Sequence, residues 1–208
     1  MIPLVVLALL LLVPAPSSAD ELFDNFGEAY SATGGNYLVG PTSPNPPLLP
    51  PVQWATAFEA DPSAGAGPWR LTSIEMPILW QTCGSNRLEV HLHFNESGSP
   101  GARVASATIP DVSSAEILVR EAVFIEGPVI LPGVTYWVVV NSVEDGEHTW
   151  QYVEPRIQNE EMLYWVFNDG GPWIVSSALT SAFRVNGDPD PSIDAPRTSV
   201  SALKSNFD

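Results

Sequence analysis

The 208-residue sequence is strongly acidic, with 24 Asp and Glu residues against 8 Lys and Arg and a formal net charge of −16. Such a surface repels phosphate groups, which argues against nucleic acid and anionic lipid as partners. The excess of carboxylates could attract calcium. The preferred explanation of the acidic composition is that it keeps an extracellular protein soluble. The single cysteine, Cys83, excludes an internal disulfide, so burial must hold the fold together.

The N-terminal segment has the pattern of a secretory signal. An apolar run over residues 4–13 precedes Pro14 and Pro16, and small residues follow at Ser17 and Ala19. This predicts that residues 1–19 are a signal peptide cleaved after Ala19. No later apolar segment approaches the roughly 18 residues of a membrane-spanning helix. The expected product is a secreted, extracellular protein without a membrane span.

Short apolar runs rich in Val, Ile, Thr, Trp and Tyr recur between Gly, Pro, Asn and Ser clusters, which is typical of strands. Strands are predicted near residues 53–60, 70–80, 87–94, 102–109, 116–126, 134–143, 148–154, 162–167, 172–176 and 179–185. The fold class is therefore all-β: an antiparallel two-sheet sandwich, jelly-roll-like, with about ten strands. A closed barrel is the alternative.

The domain boundaries follow from changes in composition. Residues 20–187 are expected to form a single β-sandwich domain, wrapped by an irregular strap over the Pro- and Gly-rich residues 34–52. Residues 188–208 are polar and are predicted to be a disordered tail. Asp188, Asp190, Ser192 and Asp194 alternate like the first ligands of a calcium loop. The bending glycine and the distal Glu of such a loop are missing, which favours the solvated tail.

Several short motifs occur along the chain: LFDNFG at 22–27, NESGSPG at 95–101, LPGVTYWVVV at 131–140, DGGPW at 169–173 and AFRVNG at 182–187. Together they resemble the choice-of-anchor R domain of bacterial exported proteins, over about residues 22–187. The resemblance implies an extracellular β-sandwich module followed by a sorting tail, with no catalytic residues to carry over. The chain departs from this pattern, because its C-terminus lacks the Pro-Glu-Pro motif, apolar helix and basic cluster of such a tail.

The HLHF segment suggests a different kind of metal site. His91 and His93 are two apart on a predicted strand and share a face, like the paired histidines of a cupin. Glu96 lies too close to act as the next ligand, and Tyr136 stands where a distant third histidine would fall. Surface histidines on a solvated face are therefore the preferred interpretation, the pair is a weak metal candidate, and no cofactor is expected.

The tryptophans offer a better argument for binding. Trp137 lies within an apolar run and is expected in the core, whereas Trp69, Trp150 and Trp173 follow or flank turn residues. β-Sandwich modules bind glycans through flat aromatic rings and a few amides or carboxylates. The ligand-binding candidates are therefore these three tryptophans and Asp169, which lies in the turn ahead of Trp173. Packing of Trp173 against a neighbouring strand is the competing interpretation.

No motif combines a nucleophile with its base, so a non-catalytic module is expected. The sequence favours a secreted β-sandwich that binds carbohydrate or extracellular matrix. A structural or adhesive surface domain without a ligand is the first alternative. A polysaccharide hydrolase or lyase is the second, and it would need two carboxylates converging in a cleft.

Overall fold

The computed structural model describes residues 19–26, 36–39, 52–61, 67–81, 84–143, 148–153, 162–166, 172–176 and 180–190. In these ranges the chain forms β-strands and no helix, so none long and apolar enough to cross a bilayer is found there. The strands are β1 Asp20–Asp24, β2 Asn36–Val39, β3 Val52–Glu59, β4 Trp69–Trp80, β5 Leu88–Glu96, β6 Ser99–Ile109, β7 Leu118–Val123, β8 Val129–Ile130, β9 Thr135–Ser142, β10 His148–Val153, β11 Met162–Val166, β12 Ile174–Ser176, β13 Thr180–Ser181 and β14 Arg184–Pro189.

The strands form two antiparallel sheets that pack against each other, which confirms the predicted fold class. The first sheet has the order β1-β14-β4-β10-β13, with β7 and β8 also paired to β4 and β2 paired to β10. The second sheet has the order β12-β11-β3-β9-β5-β6. Because Ser73 in β4 is opposite both Asn186 and Val123, β14 and β7 lie on opposite sides of β4.

The connections are those of a jelly roll. The strands β1, β14, β4 and β7 are neighbours in that order in the first sheet, and β3, β9, β5 and β6 are neighbours in the second. Followed along the chain, these eight strands alternate between the sheets, except for the hairpin from β5 to β6. This is the double-sheet arrangement that lets an antiparallel fold bury one face of each sheet. The strands β10 to β13 are additions between β9 and β14.

The main core fills the space between the sheets and follows the alternation expected of strands. Leu88, Val90 and Leu92 of β5 are fully buried in it, as the sequence pattern predicts. A bulge in β4 changes the alternation there, because Asn186 pairs with Ser73 while Gly187 pairs with Leu71. The extra residue allows Leu71 and Ile74 both to reach the core, although they are three apart.

Two domain predictions were wrong in detail. Residues 36–39, assigned to the irregular strap, form β2 and pair with β10. Residues 188–190, assigned to the tail, belong to the folded domain: Asp188 and Pro189 complete β14, and Asp190 is buried. Asp190 is ordered because its carboxylate accepts a 2.5 Å hydrogen bond from Arg70. The predicted signal peptide up to residue 18, the rest of the strap up to residue 51 and the tail from residue 191 lie outside the described residues.

Candidate ligand-binding face

Two of the three candidate tryptophans are core residues. Trp69 is 1% exposed and Trp150 is 0% exposed, so neither ring can stack on a ligand in this structure. The Trp150 indole N–H donates a 2.8 Å hydrogen bond to the backbone carbonyl of Ala182, which satisfies its polar atom inside the core. The expectation that turn-flanking positions expose these rings was wrong. Both residues belong to strands and point inward from them.

Trp173 lies elsewhere, immediately before β12, and is half-buried. It packs against a second apolar cluster formed by Ala55, Trp137 and Val139. These residues alternate along β3 and β9 with residues of the main core, so they face away from the first sheet. We call this surface of the second sheet the outer face. The candidate carboxylate, Asp169, lies outside the described residues.

Trp137 is 2% exposed, so it is buried as predicted, but in the outer-face cluster rather than between the sheets. Its indole N–H donates a 3.0 Å hydrogen bond to Oδ1 of Asn95, near the end of β5. This bond ties β9 to the start of the hairpin that leads into β6. The position of the indole is therefore set by both packing and a hydrogen bond.

Polar side chains follow the outer face along β5. Glu89 is opposite Asn141 of β9, His91 is opposite Val139, and His93 is opposite Trp137. The Glu89 carboxylate lies 3.1 Å from Nε2 of His91 and accepts a longer, 3.5 Å bond from the Asn141 amide. The outer face thus combines an aromatic cluster with an adjacent row of carboxylate, amide and imidazole groups.

The two histidines are less exposed than the sequence pattern predicts. His91 is 8% exposed and His93 is half-buried, because β6 and β9 flank β5 on both sides. Burial lowers the pKa of His91 and outweighs the opposing effect of Glu89. Burial also lowers the pKa of His93, and the nearby Arg103 charge adds to this. Both shifts favour the neutral form of the ring. Among the described residues, no group of three or more His, Cys, Asp or Glu residues is placed to hold a metal ion.

Among the described residues, the carboxylate side chains that lie close together surround a positively charged side chain, that of Arg184. Arg184 forms ion pairs with Glu21, Asp24 and Glu75 at 3.2, 3.1 and 3.3 Å. Burial would lower the pKa of Arg184, but its bonds to Asp24 and the charges of Glu75 and Glu21 raise it overall. This arrangement differs from a glycosidase pair, in which one carboxyl group must stay protonated. Asp190, weighed above as a calcium ligand, is likewise paired with a cation, Arg70.

Glu89, Asn95 and Asn141 did not emerge as site residues from the sequence. Alternation along RLEVHLHFN and VTYWVVVNSV would have placed each beside the histidines or Trp137 on one face. The strand register that places Glu89 opposite Asn141 cannot be predicted from either segment of sequence alone. No known protein family matches the sequence, and no curated protein is significantly similar to it.

Proposed function

We propose that this chain is a non-catalytic secreted module that binds carbohydrate, as a polysaccharide or an extracellular matrix glycan, through the outer face. The observation that carries this proposal is Trp173, a half-buried aromatic ring seated on the outer-face cluster. An aromatic ring beside amide and carboxylate groups is the usual composition of a sugar site. Glu89 and Asn141 supply such groups on the same face.

The dimensions of the outer face favour a polymer over a single sugar. Four inter-strand gaps separate β12, next to Trp173, from β5, which carries Glu89. With neighbouring strands about 4.8 Å apart, the face extends for roughly 19 Å. A surface of this length can contact several sugar rings at once. The secretory signal predicted from the sequence and the resemblance to an exported module family support an extracellular target.

A structural or adhesive surface domain without a small ligand is the second candidate. The observation that favours it is that three tryptophans are buried and stabilise the fold: Trp69 and Trp150 lie in the main core, and Trp137 is 2% exposed. A hydrolase or lyase is the third and least favoured candidate. The carboxylates that converge among the described residues surround Arg184 rather than an open cleft.

The test is binding of the mature chain, residues 20–208, to a panel of insoluble and soluble polysaccharides, measured by pull-down and by tryptophan fluorescence with and without calcium. We expect saturable binding that Trp173→Ala weakens by at least tenfold. The matched control is Ile174→Ala, the neighbouring residue, which is 44% exposed and is not a member of the outer-face cluster.

Binding that survives in the Trp173→Ala variant would remove the outer face from consideration. If no polysaccharide in the panel binds, the structural or adhesive function becomes the leading hypothesis. Circular dichroism of each variant separates loss of binding from loss of fold.

A further inference from the structure

The histidine pair on β5 has an arrangement that the proposed sugar site does not use. The ring centroids of His91 and His93 are 6.0 Å apart and the ring planes differ by 33°. Two imidazoles that bind one metal through nitrogens about 2.0–2.1 Å from it have centroids roughly 4.5–6.4 Å apart, depending on the angle at the metal, and the observed separation falls in the upper part of that range. The hydrogen bonds of each ring determine which of its nitrogens is available to a metal ion.

Each ring makes one hydrogen bond to a group that can only accept. Nδ1 of His93 lies 2.8 Å from the carbonyl oxygen of Gly101, so Nδ1 carries the proton of the neutral ring. Nε2 of His91 lies 3.1 Å from the Glu89 carboxylate, which assigns that proton to Nε2. The unprotonated nitrogens are therefore Nε2 of His93 and Nδ1 of His91. Each retains a lone pair.

Nε2 of His93 is a buried acceptor without a hydrogen-bond partner in the described part of the chain. Such atoms are uncommon in folded proteins, because a buried polar atom that loses its hydration without gaining a new hydrogen bond destabilises the fold. A metal ion would satisfy this lone pair. Metal-ligating histidines usually donate their second N–H to a carboxylate or a backbone carbonyl, and Glu89 and Gly101 are partners of these two kinds.

We propose that His91 and His93 form a binding site for a divalent transition-metal ion, with Nδ1 of His91 and Nε2 of His93 as the protein ligands and water completing the coordination. Imidazole nitrogens suit copper, zinc and nickel, and copper binds most tightly in that series. Calcium, which takes oxygen ligands, does not fit this donor set. The net charge of −16 draws cations toward the protein.

Within the described part of the chain, the positive charge of Arg103 acts on the pair and opposes metal binding. Arg103 is opposite His93 in the β5–β6 ladder, and its charge acts on both histidines. It is also exposed, so its long side chain can turn toward water. Removing this charge should strengthen metal binding, whereas a purely structural histidine pair would show no such response.

The experiment is titration of the metal-free mature chain with copper(II) chloride at about pH 7.5, followed by calorimetry and electron paramagnetic resonance. We expect one bound copper per chain with nitrogen coupling from two imidazoles. Single His91→Gln and His93→Gln variants should lose that signal, and Glu89→Gln should weaken binding by about tenfold through loss of the supporting bond. Arg103→Gln should bind copper several-fold more tightly.

The third histidine of the chain supplies the matched control, since His148→Gln should leave the copper signal unchanged. Copper uptake that persists in the double variant His91→Gln/His93→Gln, or absence of stoichiometric binding to the wild type, would overturn the proposal. If the His91→Gln variant fails to fold, the variants of the half-buried His93 and the exposed Arg103 still test the proposal. Zinc chloride in place of copper should bind at the same residues with lower affinity.

Discussion

The side-chain oxygen of Asn25 accepts a 2.7 Å hydrogen bond from the backbone N–H of Phe183, a residue 158 positions further along the chain. The amide nitrogen of Asn25 donates to the carbonyl of Ser181 at 2.8 Å, and its backbone N–H donates to the carbonyl of Phe183 at 3.3 Å. One buried asparagine therefore joins the end of β1 to the chain just before β14. Phe183 in turn packs on Phe23, with ring centroids 4.8 Å apart.

Replacing Asn25 with Ala should destabilise the domain by about 2–4 kcal/mol. The change leaves the buried N–H of Phe183 without its acceptor, which costs about 1–3 kcal/mol, and removes the bond to Ser181, which contributes about 1 kcal/mol. Urea unfolding of the variant measures the loss. The exposed Asn95→Ala variant, which removes only the bond from Trp137, is the control and should lose about 1 kcal/mol. Equal losses in the two variants would contradict the role assigned to Asn25.

Trp150→Ala should cost about 3–5 kcal/mol, because the ring is fully buried and its removal leaves a large cavity. Trp173→Ala should cost less than about 2 kcal/mol, because its ring is only partly buried. Thermal and urea unfolding of the two variants compare the losses directly. A Trp173 variant as unstable as the Trp150 variant would mean that Trp173 is primarily a core residue.

Gly127 is predicted to tolerate no side chain. A Cβ atom there would lie 1.9 Å from the carbonyl oxygen of Leu71, so the backbones of β4 and the β7–β8 connection would have to separate. Gly127→Ala should destabilise the domain by about 3 kcal/mol. Gly98 provides the matched control, because its positive φ of 82° makes alanine unfavourable although no atom lies within 4 Å. Gly98→Ala should cost only about 1–2 kcal/mol in the same unfolding assay.

The ordered end of the domain can be tested by truncation. A chain ending at Gly187 loses the β14 residues that pair with Trp69 and Arg70, together with the Arg70–Asp190 ion pair. We expect its melting temperature to fall by at least about 2 °C, since a loss of about 1 kcal/mol lowers it by about 2–4 °C in a domain of this size. A chain ending at Asp190 should melt like the full chain. If both truncations behave alike, residues 188–190 contribute nothing to stability.

Acid should destabilise the metal-free protein through the histidine pair. The pKa values of His91 and His93 are lowered below the usual 6.5 in the folded state, so the unfolded chain binds protons more readily. The stability that comes from the neutral rings is present above about pH 6.5 and is lost as the pH falls through the lowered values. Urea midpoints measured between about pH 7.5 and 5.5 should fall less steeply for His91→Gln/His93→Gln than for the wild type. An unchanged slope would contradict this prediction.

The strands and their faces were predictable because side-chain alternation is a local property of the chain. Leu88, Val90 and Leu92 alternate with polar residues in the sequence, and all three face the core from β5. The run around Trp137 is apolar on both faces, which is typical of a central strand, and β9 lies between β3 and β5. The β1, β2 and β8 strands were not predicted, since such short segments carry little apolar pattern of their own.

The candidate site was only partly predictable, because it depends on contacts between strands and not on local alternation alone. Flanking turn residues suggested that Trp69 and Trp150 were exposed, but a turn in the sequence does not show which way the next side chain points. The burial of His91 depends on β6 and β9, which flank β5, and the place of Glu89 opposite Asn141 depends on strand register. Neither property is encoded in any short segment.

The sequence by itself determined an acidic, disulfide-free, all-β chain with a secretory signal pattern at its start, because composition and two-residue periodicity act within a few residues. The tertiary structure decided which tryptophans are core, which nitrogens of His91 and His93 are hydrogen-bonded, and that β14 lies between β1 and β4. These features arise from contacts such as Asn25 with Phe183, whose partners lie far apart in the chain. Their geometry is settled only when both sheets are assembled and the core between them is closed.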